Sequence, residues 1–361
     1  MAFKSVRIGD RIAQNEKENR MLWQRNWAFR AASALLAACA VIGCGSAFAE
    51  TGEVRIAQLY GLPYLPAYVV YEQGLVEKHA QRIGLAPPKV TPHKMTSGPA
   101  ANDALLAGNV DIAMGGVAVL ATLWDKTRGR QNVRGLASLC DTPILLVTAE
   151  PRIKTIRDFT ESDRIAVSGV KVTVQAIFLQ MAAAKEFGFE NRFKLDPLAI
   201  GMSHPDSITA LLSSHSAVRS YAALVPYNFE VMKSGAVRRI LSSYDTLGGA
   251  HTTTVIWAAE SWVKDNPKTY EAVFAAFEEA MQVIKADPQA AARIYRKWEA
   301  TSLSEDELTG IIKDDAYLTF STVPKRTIAL TDFMHQLGTI KTKPAVWTEL
   351  FFDRMHAKGG S

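Results

Sequence analysis

The chain has 361 residues, 48% of them hydrophobic and 21% charged, and a formal charge of +5. A chain of this length buries a sizeable core and is expected to do so as two lobes. Residues 1–49 carry seven of the lysines and arginines and three of the acids, so without them the charge falls to +1, which argues for neither a nucleic-acid nor an acidic-membrane partner.

Arg25 and Arg30 precede an apolar run over 31–42, which ends in small residues and Ala47-Phe48-Ala49. The pattern predicts a secretory signal peptide, 1–49, cleaved before Glu50, with a run shorter than the roughly 20 residues a membrane-spanning helix needs. Two competing words, Leu36-Ala37-Ala38-Cys39 and Val41-Ile42-Gly43-Cys44, resemble bacterial lipoboxes, whose cysteine would be acylated. Both readings export the chain, and Met1 and Met21 both remain as starts. Cleavage leaves Cys140 as the one cysteine, so no internal disulfide is expected.

The mature chain opens with a strand predicted over 54–58, a loop holding Gln58 and Tyr60, and a helix over 65–78. A strand over 89–95 follows, with Pro92 marking an edge or a bulge. The next stretch, 96–116, gives a helix start at Ser97-Gly98-Pro99, a helix stopped by Gly108-Asn109, a buried strand over 110–114 and a Gly115-Gly116 turn. A helix over 117–126 and a strand over 133–140 complete a βαβ series and a parallel sheet. The segment 141–147 reads as a new strand and places the first crossing between lobes. Thr155 and Asp158 then form a capping box. Strand 164–167, loop 168–171 and helix 172–187 repeat the earlier pattern, followed by strands over 195–200, 218–224 and 238–242, with helices opened by Ser203 and by Pro226 between them. The β-branched run Thr252-Thr253-Thr254-Val255-Ile256-Trp257 is the return strand, after the second crossing near Gly248-Gly249. From Ser261 on the pattern is helical, and the polar tail beyond Met355 is expected to fray.

Several words in this order resemble the nitrate, sulfonate and taurine binding family of ABC-importer solute-binding proteins, which also includes pyrimidine-precursor binders. They are Leu65-Pro66-Ala67 followed by Gly74-Leu75-Val76-Glu77-Lys78, Ser97-Gly98 followed by residues 104–113, and Asp158-Phe159 before Ile165-Ala166-Val167. The resemblance covers residues 54–258. It implies an α/β periplasmic binding fold of the two-crossing, type II kind with extra C-terminal helices, divided into a first lobe over 50–142 and 251–361 and a second over 143–250. It implies a monomer that captures a small organic anion, needs no cofactor, and hands the solute to a membrane permease and its cytoplasmic ATPase. The second lobe departs from the family's common pattern where Leu224-Val225-Pro226-Tyr227 is neutral instead of carrying an acid before the proline, and Met202-Ser203-His204-Pro205 resembles a loop particular to a subgroup.

In an open α/β sheet the ligand lies beyond the carboxyl ends of the strands, and helix N-termini with free amides hold anions without an arginine. The expected cleft residues are therefore Gln58, Tyr60, Ser97, Gly98, Gly116 and Val117 from the first lobe, with Thr142 at the crossing. Lys171, Val172, Thr173, Pro226 and Tyr227 are expected from the second, Tyr227 as a stacking face for a planar ligand. His204 and His251 read as structural residues. Catalytic signals are poor: the seven histidines show no metal-ligand spacing, no G-x-S-x-G elbow is present, and Cys140 ends an apolar strand. The alternative is an enzyme on the same fold, like the family's pyrimidine synthase or sulfinate desulfinase. Against it stand the missing cysteine-rich motif and the absence of cysteine from 58–63.

Overall fold

The structure, a computed structural model, describes Glu50–Ser361 as one compact unit. The expected leader, with Cys39, Cys44 and the cleavage site, lies outside the described residues. Within the unit the strands form two sheets. In the six-stranded sheet β1 (Glu53–Gln58) pairs in parallel with β2 (Lys89–Lys94) and with β3 (Ile112–Gly116). Next to β3 runs β10 (Thr252–Ala258), antiparallel to it and to β4 (Arg134–Asp141), and the two-residue β11 (Thr319–Phe320) closes the edge. In the five-stranded sheet β6 (Arg164–Val167) lies in parallel between β7 (Ala199–Gly201) and β8 (Val218–Ala223), while β5 (Leu145–Thr148) is antiparallel between β8 and β9 (Arg238–Ser242).

Both sheets thus follow one plan: a parallel trio, an antiparallel strand brought in by the chain arriving from the other lobe, and a strand leading out. The fold is a two-lobed α/β architecture. The chain passes between sheets at 142–144 and again at 243–251. Every residue of β5 and β10 is buried, as expected of strands covered on both faces, whereas β2, which holds Pro92, is a half-exposed edge. Helices Leu65–Gln73, Leu75–Arg82, Pro267–Ala286 and Pro288–Trp298 pack together beside the first sheet.

Local chemistry moves several predicted boundaries. The helix expected over 65–78 is two helices, because Gly74 adopts φ 58° between them. The third strand starts at Ile112 instead of 110: at Asp111 the backbone N–H still donates to the Arg55 carbonyl at 2.9 Å, but the Arg55 N–H turns to the Asp111 carboxylate at 2.8 Å, which also accepts from the guanidinium at 2.7 Å. The strand expected from 141 starts only at Leu145, after the crossing, and the one expected over 195–200 shrinks to Ala199–Gly201 behind the 3-10 turn Asp196–Leu198, which holds Pro197. The tail is not frayed. Asp353–Lys358 forms a 3-10 helix that buries Met355, and the Ser361 carbonyl accepts from the Thr327 N–H at 2.8 Å.

The crossings are tied to each other by buried polar groups. Asp141, fully buried, accepts from Thr252 Oγ1 at 2.9 Å and lies 2.8 Å from Lys325 Nζ. Ser243 exchanges backbone and side-chain hydrogen bonds with Ile144, each at 2.9 Å, and its Oγ lies 2.8 Å from His251 Nε2. Burial lowers the His251 pKa to about 4, so the ring is neutral there.

Candidate ligand-binding cleft

The two lobes meet around a small enclosed space of about 20 Å³, room for about one water. First-lobe elements supply Leu59, Tyr64, Gly98, Gly116, Val119, Thr253 and Thr254, and second-lobe elements supply Ser168, Thr173, Val174, Gln175, His204 and Leu224. A wider groove of about 840 Å³ opens beside it between Thr96-Ser97 and the second-lobe loops from Ser168 to Val170 and Gly201 to Ser203. A solute of several heavy atoms therefore reaches the centre only when the lobes part.

Four helices begin at this space. Gly98 is the first residue of helix Gly98–Leu106, capped by Ser97 Oγ, and Gly116 is the N-cap of Val117–Thr127. Thr173 caps Val174–Phe187, and His204 opens His204–Leu212 behind its N-cap Ser203. Each helix start carries roughly half a positive charge and free amides. No lysine, arginine, aspartate or glutamate is among the lining residues of the enclosed space. The arrangement suits an anionic or strongly polarised oxygen held by dipoles instead of by a cationic side chain.

The glycines make the close approach possible. A Cβ on Gly98 would stand 2.8 Å from Val119 Cγ2, and one on Gly116 would stand 3.3 Å from Val174 Cγ1 across the lobe boundary. The polar lining is held by partners behind it. Ser168 donates to Gln175 Oε1 at 2.9 Å, and Thr173 donates to the Gly169 carbonyl at 2.6 Å. His204 Nδ1 is engaged by the Tyr221 hydroxyl and its ring stacks on Tyr227 at 5.1 Å. Burial lowers the His204 pKa to about 4, so it faces the space as a neutral ring.

Residues 48–298 match the sequence profile of the NMT1-like family, a span of more than half the chain. The chain belongs to the NMT1-like family. Solved structures that share its fold include the alkanesulfonate-binding protein SsuA from Xanthomonas axonopodis pv. citri bound to MOPS, with TM-score 0.63 and 16% identity over 83% of this chain and 98% of that one. The periplasmic aliphatic sulphonate binding protein SsuA from Escherichia coli gives 0.61 and 17%, covering 84% and 93%. The periplasmic nitrate-binding protein NrtA from Synechocystis PCC 6803 gives 0.64 and 15%, covering 83% and 84%. No curated protein sequence matches the chain. The NMT1-like assignment agrees with the nitrate, sulfonate and taurine resemblance drawn from the sequence words.

Within this NMT1-like cleft the expected residues divide. Gly98, Gly116 and Thr173 line the enclosed space and Ser97 the groove beside it. The others lie elsewhere, each for a visible reason. Gln58 is buried at the end of β1, in register with Lys94. Tyr60 lies under the Lys94 ammonium, 4.9 Å from the ring centroid, and packs on the second lobe's core. Val117 is directed into the first core, and Thr142 spends its hydroxyl on the Tyr317 carbonyl at 2.8 Å. Lys171, at φ 68°, lines an outer groove with Gln180, Phe193 and Asp196, while Val172 lies against Pro99 and Asn102. Pro226 and Tyr227 are buried behind His204, so Tyr227 stacks on that ring and not on the enclosed space.

His204, Gln175, Ser168, Thr253 and Thr254 were not expected in the lining. The signal for His204 was its place at a helix start, the same signal that picked out Gly98 and Thr173. The Thr252-Thr253-Thr254 run marked a β-branched strand, and nothing in its spacing separates a hydroxyl that faces a cleft from one that faces a core. Among the described residues no cluster of His, Cys, Asp or Glu has metal-binding geometry, and no helix is long and apolar enough to cross a membrane.

Proposed function

We propose that this protein is the exported solute-binding component of an ABC importer, taking a small organic anion between its lobes and presenting it to the permease. The observation that carries this reading is the convergence of four helix N-termini, two from each lobe, on one polar space lined by no charged side chain. A sulfonate or carboxylate oxygen there would meet the oriented amides of the helix starts and the neutral His204 ring. The sulfonate- and nitrate-binding proteins that share the fold support the class of ligand.

An enzymatic role would need a nucleophile or an acid–base pair at the cleft. Cys140 is fully buried, and burial pushes its thiol pKa up to about 12, so it is a packing residue. The lining's two ionisable side chains, Tyr64 and His204, are both held neutral by burial, which favours capture over turnover.

The test is thermal unfolding of the protein, expressed from the full chain, against alkanesulfonates, taurine, nitrate, aromatic carboxylates and pyrimidines. A ligand at 100 times its dissociation constant stabilises by about 2.7 kcal/mol, which moves the midpoint by several degrees. A shift with one anion class supports the reading and names its cargo. No shift with any sulfonate, nitrate or carboxylate overturns it.

A further inference from the structure

Away from the enclosed space, the lobes also form a groove of about 420 Å³ whose two walls are helix faces. One wall is Phe229, Met232 and Lys233, at i, i+3 and i+4 on helix Tyr227–Lys233, which lies between β8 and β9. The other is Glu307, Gly310, Ile311 and Asp314, at i, i+3, i+4 and i+7 along helix Glu305–Lys313 and its C-cap, with Leu303 beneath. One end is shut by the Lys233–Glu307 ion pair at 2.7 Å.

Gly310 is the unexplained residue in this wall. Glycine is among the poorest helix formers, and it is tolerated inside helices where φ is positive or where another group packs on the bare Cα. Neither holds here: Gly310 is not among the residues with positive φ, and a Cβ built on it would meet nothing within 4 Å. What the missing side chain does is keep the groove open between Glu307 and Asp314. The volume suits a small ligand, and the walls are apolar except at the ends. Lys233 and Glu307 satisfy each other. Asp314 has no ion-pair partner among the described residues, and its Oδ1 accepts only from the Ala316 N–H at 3.0 Å. The free charge at the open end is therefore negative.

We propose that this groove is a second binding site, for a small aromatic or alkyl amine whose apolar body lies over Gly310 between Phe229, Met232 and Ile311 and whose ammonium meets Asp314. Its walls belong to different lobes, so an occupant holds the lobes together without entering the cleft. The proposal stands apart from the anion reading of the cleft and does not rest on it.

The experiment is titration calorimetry of the protein, expressed from the full chain, with 2-phenylethylammonium, and with 3-phenylpropionate as the oppositely charged match. Wild type should bind the amine saturably and the carboxylate more weakly. Gly310→Leu fills the groove and should weaken the amine at least tenfold while leaving the unfolding midpoint unchanged or higher, since leucine is the better helix former. Asp314→Asn should weaken it by about threefold, as befits one exposed ion pair. Equal affinity in wild type and Gly310→Leu, no saturable amine binding, or tighter binding of the carboxylate overturns the site. Because the anion panel reads the cleft separately, failure here leaves that reading untouched, and failure there leaves this one.

Discussion

The His204 ring provides the sharpest quantitative test of the cleft. It is 4% exposed, its Nδ1 is engaged by Tyr221, and burial lowers its pKa from 6.5 to about 4. Between those two values the unfolded chain holds the proton and the folded chain does not. Stability from this residue is therefore fully present above pH 6.5 and is lost as the pH falls toward 4. For one such histidine the loss from pH 7 to pH 5 is about 2 kcal/mol. His251, lowered to about 4 by its own burial, contributes a similar amount in both proteins, so the wild type should lose about 2 kcal/mol more over that interval than His204→Gln. Urea unfolding at the two pH values measures that difference, in which contributions from His251 and the carboxylates cancel. Equal losses in wild type and variant, or a His204 ring resonance titrating near pH 6.5, would refute the assignment of a buried neutral imidazole.

Three further outcomes are expected. Gly61→Ala places a Cβ 3.0 Å from the Val225 carbonyl oxygen of the opposite lobe, at a backbone φ of 109°, so it should weaken binding of whichever anion the panel identifies by at least tenfold through hindered closure; an unchanged dissociation constant sinks that account. Lys325→Met strands the buried Asp141 carboxylate with Thr252 as its hydrogen-bond donor. It should cost about 2 kcal/mol in chemical denaturation, below the usual penalty for a broken buried pair because Lys325 is 43% exposed, and a change under about 0.5 kcal/mol would rule out the tie between the crossings. Cys140, fully buried with its thiol pKa pushed up to about 12, should resist a thiol reagent in the native protein and react on unfolding; rapid native labelling would contradict its place in the core.

The legible part of this sequence was the part governed by local pattern. Strand 164–167 and strand 238–242 fall where hydrophobic runs bounded by polar loops put them, and the Thr155–Asp158 capping box forms as its spacing dictates. Helix starts were equally readable, which is why Ser97, Gly98 and Thr173 were expected along the space between the lobes, as was Gly116 from its place in the turn that ends its strand, and the structure places all four there. What the sequence concealed depends on contacts between distant segments. Thr142 looks like a cleft hydroxyl until Tyr317, far along the chain, takes it up at 2.8 Å. Tyr227 looks like a stacking platform until His204 is seen to cover it, and the same contact turns His204 from a helix-start residue into part of the lining. Lys171 was placed by its neighbours in sequence, but its left-handed backbone at φ 68° leads the side chain to the outer groove.

The exchanged strands also set an order of assembly. The second sheet is built wholly from Leu145 to Ser242, a continuous stretch, whereas β10 must insert between β3 and β4 after an interruption running from Asp141 to Thr252. During synthesis the interior lobe has all its strands before the outer one can close, and the outer trio waits with its β3 edge unpaired until Thr252–Ala258 is made. Amide protection should therefore appear in β5 to β9 ahead of β3, β4 and β10, and the first sheet is completed only by β10 and then the edge strand β11, both made after the whole second sheet.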